Sequence, residues 1–123
     1  MTFRLILFAC IACLPTAVNA DPSLPIRSGQ YLFQLKDAEF PRFPGVSVRV
    51  TISGHHIKVT SDDASSTLYP KGEIVDEGTL MWHAATRQWI IGEEESDKTR
   101  EDVGDCSAGP RSVDLVRKVI WTC

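Results

Sequence analysis

Residues 78–92 read GTLMWHAATRQWIIG, and the reading of this stretch decides the fold class. Leu80, Trp82 and Ala84 alternate with Thr79, Met81 and His83, the period-two pattern of a strand whose faces meet different surroundings. After a polar interruption Trp89, Ile90 and Ile91 resume, and Gly92 ends the run. A four-residue connection, residues 85–88, places Leu80, Trp82, Ala84, Trp89 and Ile91 on one face of a hairpin. A three-residue connection sends Trp89 to the other face, because a slip of one residue inverts a strand. The first register gathers both indoles into one core and is the expected one.

Alternation continues on either side. Val46, Val48, Val50 and Ile52 form one row against Ser47, Arg49, Thr51 and Ser53. Ser53, Gly54 and His55 supply a turn, after which Ile57 and Val59 alternate with His56, Lys58 and Thr60, a second hairpin. Upstream, Tyr31, Phe33 and Leu35 share a face within residues 30–36. Between them DAEFPRFPG, residues 37–45, is a loop, since its prolines forbid ladder pairing. Residues 61–67 form a polar loop, Pro70, Lys71 and Gly72 a turn, and residues 73–76 a short strand. The last strand is expected over residues 112–123, with Val113, Leu115, Val119, Trp121 and Cys123 on one parity. A short helix is expected from Ser96 to Val103, stopped by Gly104. The expected fold is all-β: a small antiparallel meander barrel or two-layer sandwich of about six to eight strands, with at most one short helix.

At 123 residues the chain supports one domain. Arg4, the apolar run from Leu5 to Leu14 and the small residues around Ala20 read as a signal peptide over residues 1–20, cleaved after Ala20. That implies a periplasmic or secreted protein, with an arm over residues 21–29 and the β domain over residues 30–123. Arg4 is the one charged residue of the first twenty, so the formal charge of −3 becomes −4 without them. An acidic domain with no basic run is a poor fit to nucleic acid, and residues 1–20 are too short and wrongly flanked for a membrane anchor, so no membrane insertion is expected. Cys106 and Cys123 remain after cleavage, and in an oxidising compartment they are expected to pair. A loop of that length yields about 3 kcal/mol from closure entropy.

With Gly29-Gln30-Tyr31 on the first strand and Arg117 on the last, the pattern resembles the small calycin-type barrels of secreted bacterial proteins. The first triplet is similar to the Gly-x-Trp that opens lipocalin barrels. Arg117 is similar in place to the arginine that such barrels stack over that aromatic. The size and single disulfide resemble the compact periplasmic barrels that inhibit lysozyme. The resemblance implies a barrel with either a ligand cavity or an inhibitory surface.

Residues 21–123 contain no Gly-x-Ser-x-Gly, His-Glu-x-x-His, phosphate loop or Cys-x-x-Cys. No catalytic residue, cofactor or metal set is therefore expected, and the chain reads as a non-enzyme. His55, His56 and His83 are expected to be solvated, the first two pointing to opposite faces. Residues 93–105 carry seven acids against Lys98 and Arg100. Their spacing does not fit a calcium loop, which leaves a solvated face or a surface for a basic partner. Phe40-Pro41-Arg42-Phe43-Pro44 is a stiff loop with residues typical of interface anchors. It either presents its rings or folds them back as a plug under one barrel end. The candidate partner-binding residues are Phe40, Arg42, Phe43, Glu93, Glu94 and Glu95. The expected function is a small exported binding protein with a protein partner, as an inhibitor or immunity-type neutraliser of a basic enzyme. The alternatives are a barrel carrying a small apolar ligand and a non-catalytic structural protein of the envelope.

Overall fold

The computed structural model describes residues 21–123, and the signal-peptide reading of residues 1–20 lies outside the described residues. Seven strands follow one another around a closed barrel: β1 Gly29–Asp37, β2 Val46–Ser53, β3 His56–Ser61, β4 Ile74–His83, β5 Gln88–Gly92, β6 Ser112–Asp114 and β7 Val119–Thr122. Consecutive strands pair antiparallel, and β1 closes on β7 in parallel with Leu35 beside Ile120. Strand number dictates this mixed closure. In an up-and-down meander the direction alternates, so the first and seventh strands must run the same way.

The tryptophan hairpin has the expected faces but a different turn. Trp82 pairs with Trp89, Leu80 with Ile91 and His83 with Gln88, so the connection is residues 84–87 and Ala84 is exposed. A shift of two residues keeps parity, and both indoles stay on one face. They meet edge-on with centroids 5.4 Å apart. The short strand expected over residues 73–76 is the first part of β4, which runs ten residues without a break.

Residues 112–123 differ more from expectation. They form a hairpin, β6 and β7, with Val113 opposite Ile120. The cause is Asp114, whose Oδ1 accepts the backbone N–H groups of Val116 (3.0 Å) and Arg117 (2.8 Å). A side chain that captures the backbone ahead of it makes a turn. This turn inverts the parity of β7: Ile120 is buried in the core and Trp121 is half-buried on the opposite parity.

Phe33, Leu35, Val48, Val50, Ile52, Ile57, Val59, Leu80, Trp89, Ile91, Val113, Leu115 and Ile120 form one buried cluster. A barrel of this strand number is narrow enough for side chains to fill its interior. The alternating direction also sorts the connections into two ends. One end carries the long loops 38–45, 62–73 and 93–111 together with Cys123. The other carries the tight turns 54–55, 84–87 and 115–118. Gly54 takes φ 59 in the first of these, the left-handed conformation that a two-residue hairpin turn demands. The arm over residues 21–28 is docked at the turn end. Leu24 and Ile26 pack on the core, the Tyr31 hydroxyl donates to Arg27 O (2.6 Å), and Gly54 N–H donates to Ser28 Oγ (2.9 Å).

Candidate functional site

Every candidate partner-binding residue lies on a loop that leaves the long-loop end. Phe40 and Phe43 are 53% and 65% exposed, with centroids 5.8 Å apart, and Arg42 is exposed between them. Phe43 N–H donates to Phe40 O (3.1 Å) and Phe40 N–H to Asp37 O (3.2 Å). These tight turns leave the rings exposed, and no plug forms. Gly45, at φ 74, brings the chain back so close to Leu35 O that any Cβ would clash with it. Leu68 and Ile74 are also exposed at this end. Sequence reading missed both: Leu68 is a lone aliphatic beside a polar loop, and Ile74 opens a strand whose exposed face carries no hydropathy signal.

Glu93, Glu94 and Glu95 are exposed where β5 ends. The chain then makes a single 3-10 turn, Glu95–Thr99, in place of the helix expected from Ser96 to Val103. Its cap is not Ser96. Asp97 is buried, and its Oδ2 accepts the backbone N–H groups of Glu93 (2.7 Å) and Glu94 (3.0 Å). Those two bonds, with Arg100 nearby at 3.7 Å, hold its carboxyl below the usual carboxylate range. Gly92 must be glycine here, since a Cβ would come within 2.6 Å of Met81 Sδ and 3.3 Å of Asp97 Cβ.

Beyond the 3-10 turn the segment straps the outer face of β4 and β5. Val103 packs with Met81 and Ile90 in a second buried cluster. His83 is 1% exposed beneath it, against the expectation of a solvated residue. Its Nε2 lies 2.6 Å from Arg100 O, and a carbonyl only accepts, so Nε2 carries the proton. In the neutral ring Nδ1 then accepts from the Thr86 hydroxyl at 2.7 Å. The strap returns through Gly104, whose N–H donates to Pro110 O (2.8 Å), and through the Arg111–Asp76 ion pair at 2.9 Å. The Cys106–Cys123 disulfide, with Cα atoms 4.9 Å apart, fastens it to the end of β7. Between strap and barrel lies a polar cleft of about 540 Å³ lined by Asp76, Glu93, Glu94, Asp105, Arg100 and Arg111 among others.

His56 faces Glu77 at 3.1 Å, and His55 Nδ1 lies 3.1 Å from Leu80 O. The Asp37 carboxylate lies near both cysteine sulfurs, but sulfurs joined to each other are not the thiolates a metal needs. Arg117 does not stack on Tyr31. It is exposed, directed away by the Asp114 turn, and Lys118 Nζ takes the place over the ring at 5.6 Å. Among the described residues no helix is long and apolar enough to cross a membrane.

Among the described residues these features define a small all-β fold: a closed, mixed seven-stranded barrel with one disulfide and a single 3-10 turn, compatible with a non-catalytic binding or carrier role. No family model matches the chain, and comparisons with curated proteins and with solved structures give no match. Of the resemblance drawn from the sequence, the structure supports a small closed barrel of seven strands and nothing specific to lipocalins or lysozyme inhibitors.

Proposed function

We propose that the protein is an exported, non-catalytic module that binds a basic protein through the long-loop end, as an inhibitor or immunity-type neutraliser of a basic enzyme. The observation that carries this reading is a coincidence of two properties at one end. Among the described residues, four of the six exposed large hydrophobics, Phe40, Phe43, Leu68 and Ile74, are there. Where the three loops leave that end they carry Glu39, Asp62, Asp63, Glu73, Glu93, Glu94 and Glu95 against Arg42 and Lys71, before the strap runs along the barrel to His83. The three turns at the opposite end hold Arg87, Arg117 and Lys118 and no acid.

Charge of one sign at one end steers a basic partner into a single orientation, and exposed aromatics supply the desolvated contact. Burying each phenylalanine is worth about 1.5–3 kcal/mol. The side chains packed through the barrel favour a surface role over transport of an apolar ligand. Export rests on the character of residues 1–20.

The test is binding of residues 21–123 to a panel of basic secreted hydrolases and nucleases, egg-white lysozyme included, at low and high salt. Glu93→Gln/Glu94→Gln/Glu95→Gln should slow association, and Phe40→Ser/Phe43→Ser should speed dissociation. A partner bound equally well by both variants, or bound independently of salt, would overturn the proposal.

A further inference from the structure

All three tryptophans of the chain line one groove, away from the long-loop end. It measures about 290 Å³ and runs from the turn end along β5, β6 and β7. These are the shortest pairings in the barrel: β5–β6 and β6–β7 each join through two residue pairs. With so short a ladder, residues of both parities reach the groove, Trp89 and Val113 from the core side and Ser112 and Trp121 from the other. Trp82 and Trp121 are half-buried, and Trp89 is buried behind Trp82.

The polar lining is Arg87, Gln88, Ser112 and Asp114. Ser112 is 2% exposed, and its Oγ is covered by Gly104 of the strap, so the groove's accessible polar groups are those of Arg87, Gln88 and Asp114. Asp114 commits Oδ1 to its turn, while Oδ2 has only the exposed Arg117 at 4.0 Å. Arg87 holds φ 54 at the rim, a left-handed conformation uncommon for a residue with a side chain.

The combination selects a ligand class. Flat indole faces stack against the C–H face of a ring. Carboxylate, guanidinium and amide groups are planar, and each can take two neighbouring hydroxyls at once. One cation and one anion at the rim disfavour any ligand with a strong net charge. The volume is at the lower limit for small-molecule sites, about 300 Å³, too little for a long acyl chain. We propose that this groove binds a neutral saccharide, with a sugar ring against Trp82 and Trp121 and its hydroxyls toward Arg87, Gln88 and Asp114. The site is separate from the long-loop end, so it stands or falls independently of the protein-binding proposal.

The experiment is an NMR titration of residues 21–123 with cellobiose and with the disaccharide of N-acetylglucosamine, following the three indole N–H signals. Weak binding, with Kd of about 1 mM, is expected. The Trp82 and Trp121 signals should move and that of Trp89 should move less. Gln88→Ala, beside an exposed turn, should weaken binding about fivefold, the equivalent of one neutral hydrogen bond, and Arg87→Ala, in that turn, about tenfold, since it removes a charged donor. Their unchanged peak dispersion would show that the fold is intact. Sodium sulfate and tetramethylammonium should leave the indoles in place. Three unmoved indole signals at about 10 mM of both saccharides would overturn the proposal. So would a response to the charged probes in place of the sugars, or saccharide affinity unchanged in both variants.

Discussion

Asp97 offers the sharpest test of how the strap is held. Its single buried carboxylate oxygen accepts two backbone N–H groups, from Glu93 and Glu94, at the point where β5 becomes strap. Asp97→Ala leaves both donors unpaired, and the loss of such a cap together with a second charge-assisted bond costs about 2–3 kcal/mol. For a domain of this size each kcal/mol lowers Tm by about 4–8 °C, so a fall of about 10–20 °C is expected. Asp97→Asn keeps an acceptor oxygen and loses the charge, which costs about 1 kcal/mol. The sign of the pH dependence comes from the lowered folded-state carboxyl value. Such a group contributes stability above its unfolded value of 3.8, and the contribution is lost as pH falls through the folded value. The gap between wild type and Asp97→Asn should therefore be full near neutral pH and close in acid, where both side chains are uncharged. Denaturation followed by near-UV circular dichroism at about pH 7 and about pH 2.5 measures it. A gap that persists unchanged into acid, or an Asp97→Ala variant as stable as wild type, would refute the reasoning.

Removing the disulfide by Cys106→Ser/Cys123→Ser should cost about 3 kcal/mol, and wild type melted in reductant should match the double variant. His83→Phe leaves Arg100 O and the Thr86 hydroxyl without their partner, and urea denaturation should register a loss of about 1–3 kcal/mol. Gly109→Ala drives a Cβ into the backbone carbonyl of Asp102, so amide exchange across residues 100–111 should accelerate even where global stability survives. Phe40→Ser/Phe43→Ser should shift stability by no more than about 0.5 kcal/mol, because both rings are already in water.

Alternation is a local property, and wherever one face of a strand meets the core it could be read directly. Legible in this way were the faces of Val46–Ser53, the shared face of Trp82 and Trp89, the sidedness of Tyr31, Phe33 and Leu35, and the closed loop between Cys106 and Cys123. Asp114 hid the β6–β7 turn inside an apolar run, because a side-chain-to-backbone bond has no signature in hydropathy. The remaining features depend on contacts between distant parts of the chain. The parallel closure depends on how many strands there are. The burial of His83 depends on a strap arriving from Arg100, seventeen positions later. The lining of one groove by Trp82, Trp89 and Trp121, like the sharing of one barrel end by Phe40, Leu68 and Glu93, requires the sheet to close into a ring. Periodicity states which residues seek cover. What covers them is set by contacts between distant parts of the chain, and those exist only once the barrel is shut.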